Sequence, residues 1–322
     1  MATGMTTKTQ IDNINSFYDR DLLLRAQPLL VHNRFGMVKD IPMNNSAVIK
    51  FRRYANLSAA TTALSEGITP AGSQLSKTDV TATVLQYGDY VTLSDKLTME
   101  TEDPIRLEAN EVLGDQAGDT LDQLCRDVLA TGTNVIYAGT SNTQNSDVAA
   151  GDVITTANIN SAVETLKAGK ARYVTTFVDP TTGYNTSPLP PCYIGICHVY
   201  TTKTLEAMSG WVPVEKYANG VTRMEGEIGK YSNVRFIETV NGKVFTGAGT
   251  GSIDLYGTLI MGKFAYATTR IAGRALVNIV KPLGSAGTAD PLDQRETSGW
   301  KATFVAKILN DDFIVRIVHA RV

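Results

Sequence analysis

The chain has 322 residues, 43% hydrophobic and 19% charged, a globular composition long enough to bury a sizeable core in one or two domains. Thirty Lys plus Arg against 32 Asp plus Glu give a net charge of −2, so the basic excess by which repressors and histone-like proteins neutralise phosphates is missing. The opening residues lack a basic segment followed by an apolar one, and no run of about 18 apolar residues occurs, so neither secretion nor membrane insertion is expected.

Residues 16–27 read as a short helix, capped by Ser16, made apolar by Leu22, Leu23 and Leu24, and stopped by Pro28. Between Leu22 and Tyr54 the chain is locally basic: Arg25, Arg34, Lys39, Lys50, Arg52 and Arg53 stand against Asp40 alone. Residues 48–54 form an expected strand and 78–93 its returning partner, with Val80, Ala82 and Val84 alternating with threonines. Between them, residues 55–77 are mostly Ser, Thr, Ala and Gly, with Leu57, Leu64, Ile68 and Leu75 as the larger aliphatics. A loop this long is uncommon inside a compact domain, and its composition forms no core alone. It is expected either as a floppy surface loop or as an arm ordered on a neighbouring subunit.

The clearest element is a helix over 103–130, with Asp103 as cap, Pro104 at the first helical position and Gly132 just beyond the end. Ile105, Ala109, Val112, Leu113, Ala117, Leu121, Leu124 and Val128 recur at helical spacing, giving an apolar stripe about 40 Å long. Residues 100–127 carry nine acids and two bases, so the polar side of this spine is strongly acidic: a solvated face, or a receptor for the basic arm. A second helix is expected over 155–168, ended by Gly169, and a Thr/Pro-rich stretch follows over 172–191. Strands are expected at 193–200, 233–240 and 255–269, a short helix at 202–209, and a closing antiparallel hairpin over 301–322 that turns at Asn310-Asp311-Asp312.

Chemistry is thinly supported. His32, His198 and His319 sit in no nucleophile motif, and Cys192, Cys197 and His198 lack the fourth ligand and second close pair of a zinc site. Three sparse cysteines, Cys125 being the other, read as free thiols of a reducing compartment. The glycines of 247–252 precede a strand and not a helix, so they read as a hairpin loop and not a phosphate cradle. Glu225, Glu227, Asp311 and Asp312 read as structural acids of turns.

Several runs together resemble one family across nearly the whole chain. They are Asn33-Arg34-Phe35-Gly36, Phe51-Arg52-Arg53-Tyr54, Glu66-Gly67-Ile68-Thr69-Pro70, and Gln86-Tyr87-Gly88-Asp89-Tyr90-Val91-Thr92-Leu93-Ser94-Asp95. Further on come Leu113-Gly114-Asp115-Gln116-Ala117-Gly118-Asp119-Thr120-Leu121-Asp122, Gly226-Glu227-Ile228-Gly229 before Val234-Arg235-Phe236-Ile237-Glu238-Thr239, and Asp290-Pro291-Leu292-Asp293-Gln294-Arg295 before Gly299-Trp300-Lys301. In order and spacing they resemble the major capsid proteins of tailed phages, in the group related to the N-four-like phage shell protein. The stretch at 172–191 is longer and richer in Thr and Pro than that family's pattern, and Cys197-His198-Val199 is not typical of it.

The resemblance implies an α+β fold of the Hong Kong 97 type. Its parts would be an N-terminal arm over 1–45, an extended hairpin loop over 46–95, a peripheral domain from 96–133 and 270–322 with the spine helix, and an axial domain over 134–269. It implies a structural, non-enzymatic protein without cofactor or metal. Hexamers and pentamers of it would build an icosahedral head, assembled in the host cytoplasm, around double-stranded DNA held without sequence preference. A portal, separately supplied scaffolding and cement proteins would be its partners, since only about fifteen residues precede the first expected helix. The expected inter-subunit residues are Arg34, Arg52, Arg53, Tyr54, Leu57, Leu64, Glu66, Ile68, Leu75 and Lys77, facing an acidic spine surface of Glu108, Glu111, Asp115, Asp119 and Asp122 in the same or an adjacent chain. Lys77 alone does not support a covalent Lys-Asn crosslink. The alternatives are an encapsulin-like compartment shell and a small hydrolase using Cys197 and His198.

Overall fold

The structure is a computed structural model that describes residues 30–55, 57–63, 66–67, 69, 71–100, 105–178, 186–217, 223–287 and 290–321. The helix expected at 16–27, the Asp103-Pro104 start of the spine, Leu64 and Ile68 lie outside these residues. The chain runs through β1 (Met37–Ile41), goes out and back in β2 (Val48–Tyr54) and β3 (Lys77–Thr83), and continues in β4 (Leu85–Ser94), α1 (Asp95–Glu100) and the 25-residue α2 (Ile105–Leu129). A second region follows, comprising β5 (Val135–Tyr137), α3 (Thr156–Ala168), β6 (Val174–Val178), β7 (Thr186–His198), α4 (Thr202–Glu206), β8 (Val212–Pro213), β9 (Glu227–Tyr231), β10 (Val234–Thr239), β11 (Lys243–Phe245) and β12 (Leu255–Met261). The chain then returns through β13 (Tyr266–Ile271), β14 (Leu276–Lys281) and β15 (Arg295–Ile308), and ends in β16 (Ile314–His319).

Two main sheets result. In the first, the 14-residue β15 pairs with β4 along one edge and with β14 and then β13 along the other, while β1 lies parallel to β13. Glu296, Ser298, Trp300, Ala302, Phe304 and Ala306, every second residue of β15, are buried, as the period of two demands when one face is covered. The cover includes α2. Its buried positions fall in two adjacent rows spaced by four, Leu113, Ala117, Leu121, Cys125 and Leu129 beside Asn110, Gly114, Gly118 and Asp122. Polar pairs tie the helix to the strand: Arg106 Nε donates to Glu296 Oε1 at 2.6 Å, Ser298 to Asn110, and Trp300 Nε1 to Gln116 Oε1 at 3.1 Å. Val112, expected on the apolar stripe, is 63% exposed, because the buried rows turn it to the opposite side.

The second sheet runs β5-β16-β12-β7-β10-β9-β8 and has cores on both faces. Along β7, Cys192, Ile194 and Ile196 join the α2 cluster, whereas Tyr193 and Cys197 join a cluster with Ile159, Ala162, Val163 and Leu166 of α3. Every residue of β12 is buried, which is why this sheet reads as continuous apolar runs. Thr155 caps α3, its hydroxyl accepting from Asn158 N, and Gly169 ends it as expected.

Three expected elements are corrected. The returning strand of the hairpin is two: β3 pairs with β2 from Val48↔Thr83 to Tyr54↔Lys77, and after the buried Val84 the chain leaves the ribbon as β4 to join β15. The extended ribbon therefore ends at Thr83 and not at residue 95. The strand at 255–269 is also two, β12 and β13 in different sheets, broken at Phe264, whose φ is +64°. The closing hairpin is absent: β15 and β16 belong to different sheets, because Asp311–Phe313 form a short 3-10 turn that carries the chain across to a place between β5 and β12, where cores cover both faces of β16. The loop after β11 is the hairpin loop expected from its glycines, with Gly247 and Gly251 at positive φ and Phe245 facing Leu255.

At one end of the second sheet His319 is fully enclosed, bonded through Nε2 to Thr258 Oγ1 at 3.0 Å and through Nδ1 to the Ala320 carbonyl at 2.8 Å. Burial holds its imidazole down at about 4 against an ordinary 6.5. Between those values the unfolded chain takes up a proton that the folded one refuses, so stability is complete above pH 6.5 and falls as pH drops towards 4. Urea unfolding at pH 7.5, 5.5 and 4.5 is expected to show about 3 kcal/mol of this loss by the lowest pH, and less of it in His319→Gln.

Candidate inter-subunit interface

The arm is fastened to the spine. Leu30, Val31 and Phe35 pack against the α2 cluster, and Gly36 passes so close to Tyr266 that a Cβ there would lie 2.5 Å from its ring. Both nitrogens of His32 that face the helix bond one carboxylate: the backbone N–H donates to Asp122 Oδ1 at 2.7 Å and Nδ1 to Oδ2 at 2.8 Å. The His32 carbonyl accepts from the Tyr266 hydroxyl and, at 3.4 Å, from Cys125 Sγ. Burial pushes both of those acids well up, and the nearby Asp122 adds to the rise at each; neither ionises in the physiological range. Asp122, expected on the acidic exposed face, is thus a correction: it is fully buried, because position 122 falls in the inward row. Arg34 pairs instead with Glu225, Nη2 to Oε2 at 2.7 Å.

The ribbon differs in kind. Arg52, Arg53, Tyr54, Leu57, Glu66, Leu75 and Lys77 are exposed, Tyr54 at 55% and Leu75 at 69%. Arg52 lies directly opposite Asp79 and donates Nε to its Oδ1 at 2.9 Å; the bond raises the guanidinium and lowers the carboxyl, but solvent screens the pair and it adds little stability. Arg53 donates to the Asn310 side chain. Within the subunit neither arginine meets the acidic helix. Of that helix's acids, Glu108 is exposed, Glu111 and Asp115 are half-buried, and Asp119 accepts from Gln123 Nε2 at 2.7 Å and Asn241 Nδ2 at 2.6 Å.

A cleft of about 720 Å³ opens between the ribbon base and the body of the chain. Beside Arg52 and Arg53 it is lined by Lys170 and Arg172, which sequence reasoning missed; the available signal was a cation on either side of Ala171 just past the end of α3. The residues weighed for chemistry are not brought together. Cys197 and His198 are consecutive on β7, so their side chains leave opposite faces; burial pushes the Cys197 thiol up, and burial and then Arg321 push His198 down. The three cysteines are free and buried. Glu225 and Glu227 are structural, Glu227 accepting from the buried Arg235 at 2.6 and 2.5 Å, and Asp311 accepts from Thr133 N at 3.1 Å.

A helix across one sheet, a second sheet with helices, a clasped arm and a projecting ribbon define a class: the α+β fold of the Hong Kong 97 capsid type. The structure is similar to the capsid of Ralstonia phage GP4, with a TM-score of 0.69, 14% identity, and 89% of this chain and 87% of that one covered. It is similar also to the subunit of the cyanophage Pam1 capsid, at 0.67, 14% and 92% of each, and to that of the head of Helicobacter pylori bacteriophage KHP40, at 0.64, 14%, 88% and 87%. No curated protein sequence matches the chain. The family model for phage capsid proteins matches residues 105–273, just over half the chain, and the chain belongs to that family. It is a major capsid protein, structural and not enzymatic, that assembles into the shell of a virion.

Asp122→Ala leaves two buried N–H groups of His32 without acceptors, at about 1–3 kcal/mol each. Chemical unfolding is expected to show a loss of about 2–6 kcal/mol, with Asp122→Asn recovering part of it because one oxygen still accepts.

Proposed function

We propose that this chain builds an icosahedral tailed-phage head from hexamers and pentamers, enclosing double-stranded DNA, with the ribbon and arm supplying inter-subunit contact. The observation that carries the proposal is the β2–β3 ribbon, two strands that among the described residues pair only with each other; the face of Val48, Lys50, Arg52, Tyr54 and Lys77 is exposed throughout, and the other is covered only at Ile49, Phe51, Val80 and Ala82. A lone two-stranded ribbon is marginal in water, and its backbone edges and side chains, Tyr54, Leu57 and Leu75 among them, gain their packing only on another molecule. Lying on the adjacent subunit, the ribbon would bring Arg52, Arg53 and Lys77 towards the acids Glu108, Glu111 and Asp115 of that subunit's spine, setting register more than affinity. The small residues of its tip, with Glu66, Leu64 and Ile68, would allow close approach.

In this reading residues 1–45 are the arm. The first sheet with α2 is the peripheral domain, and the second sheet with its helices is the axial domain near the capsomer centre. The near-neutral charge lets packaged DNA slide past the inner wall. Portal, scaffolding and cement proteins are partners in trans, and assembly takes place in the host cytoplasm.

Expression of the full chain, alone and with the other head proteins of its phage, followed by cryo-electron microscopy, is expected to give closed shells with the ribbon seated on a neighbour. Solitary subunits under both conditions would overturn the proposal. Removal of residues 57–75 is expected to abolish shells while shifting the subunit's melting temperature by only a few degrees, since the described residues of that segment are all exposed.

A further inference from the structure

We infer that the cleft at the ribbon base receives the outer ridge of α2 from a second copy of the chain, with Val112 as the inserted side chain. This rests on the shell reading above and names the surface that meets the ribbon base. The cleft has an apolar floor, formed by Phe51, Val80, Phe264 and Phe313, and a charged rim. The rim carries four cations, Arg52, Arg53, Lys170 and Arg172, against the single acid Asp312. Only Arg52 is neutralised: among the described residues Arg53, Lys170 and Arg172 have no ion-pair partner. Phe264, at 39% exposure and positive φ, is held at the surface by the break between β12 and β13.

The matching surface is the outward side of α2. Val112 is exposed there, at 63%, and Glu108, Glu111 and Asp115 flank it. An apolar knob with acids beside it answers an apolar floor with cations around it, in both shape and sign. In the subunit the Val112 side chain gains nothing from its exposure to water. Cleft and ridge are different parts of one chain, so the contact is head-to-tail, and repetition of it closes a ring when the rotation permits. That is the symmetry a capsomer needs.

The test uses assembled wild-type shells made from equal amounts of normal and nitrogen-15-labelled chain, treated with a carbodiimide that joins a carboxylate directly to an amine. Mass spectrometry is expected to find Lys170 joined to Glu108, Glu111 or Asp115 in peptide pairs of mixed isotope, absent from unassembled subunits. Shells in which Lys170 joins only acids of its own chain, or acids outside α2, would overturn the inference and leave the shell reading standing. Failure of the wild type to form shells would remove both. Val112→Asp is expected to lower shell yield at least tenfold with the subunit melting temperature unchanged. Lys170→Glu is expected to do the same, and Glu111→Lys in the same chain to restore assembly; unchanged yield in both single variants would also count against the inference.

Discussion

The packing of α2 along β15 is the constraint on which the rest of this subunit depends. One strand of fourteen residues serves as partner to β4, β13 and β14 and as the floor beneath the helix, so the arm, the ribbon and the first sheet all converge on it. The match is one of period: alternate residues of β15 meet rows of α2 spaced by four, and small residues at Gly114, Ala117 and Gly118 let the helix lie close. The polar pairs along the seam select one register among the several that apolar packing alone would allow, because an offset of one strand residue would turn Glu296, Ser298 and Trp300 away from their partners.

Two classes of interaction are segregated in this fold. Inside, charge is paired and enclosed: Glu227 receives Arg235, the Tyr217 hydroxyl and the Met224 amide, and Asp122 receives the arm. Such groups add specificity, since each is costly if its partner is lost. Outside, on the ribbon and the outward side of α2, charges are half-exposed and apolar residues stand in water. A chain that buried everything internally would have no reason to associate; this one leaves Tyr54, Leu57 and Leu75 of the ribbon and Val112 of α2 exposed.

Much of this was legible in the residues. Gly132 beyond the end of the spine, the capping Thr155 and the glycines of 247–252 act through local backbone chemistry, and local chemistry is readable from a single chain. The long loop at 55–77 announced itself by lacking a core, and the exposure of its described residues follows from that lack. What misled was tertiary choice. Residues 78–93 carry an unbroken strand pattern, yet one residue, Val84, hands the chain from ribbon to sheet. The alternation in 301–322 suits a hairpin, but β16 is apolar at Ile314, Val315, Ile317 and Val318, the mark of a strand with cores on both faces. Asp122 looked like one more acid on a polar face; only the offset of the inward row by a fraction of a turn, set by Asn110 and Gly114, shows that it is enclosed. The cations of the cleft come from segments over a hundred residues apart, a proximity no local pattern encodes.

The way the ribbon is rooted bears on how a wall made of such subunits would carry mechanical load. Tension applied to the ribbon reaches the body along β2 through the segment that follows β1, and along β3 through Val84 into β4, which is laddered to β15 over ten residue pairs. A pull along that ladder loads its rungs together, in shear, and spreads the force under the spine helix; it does not unzip them one after another. In the shell proposed above, such a root would spread the load carried by each ribbon across the whole first sheet.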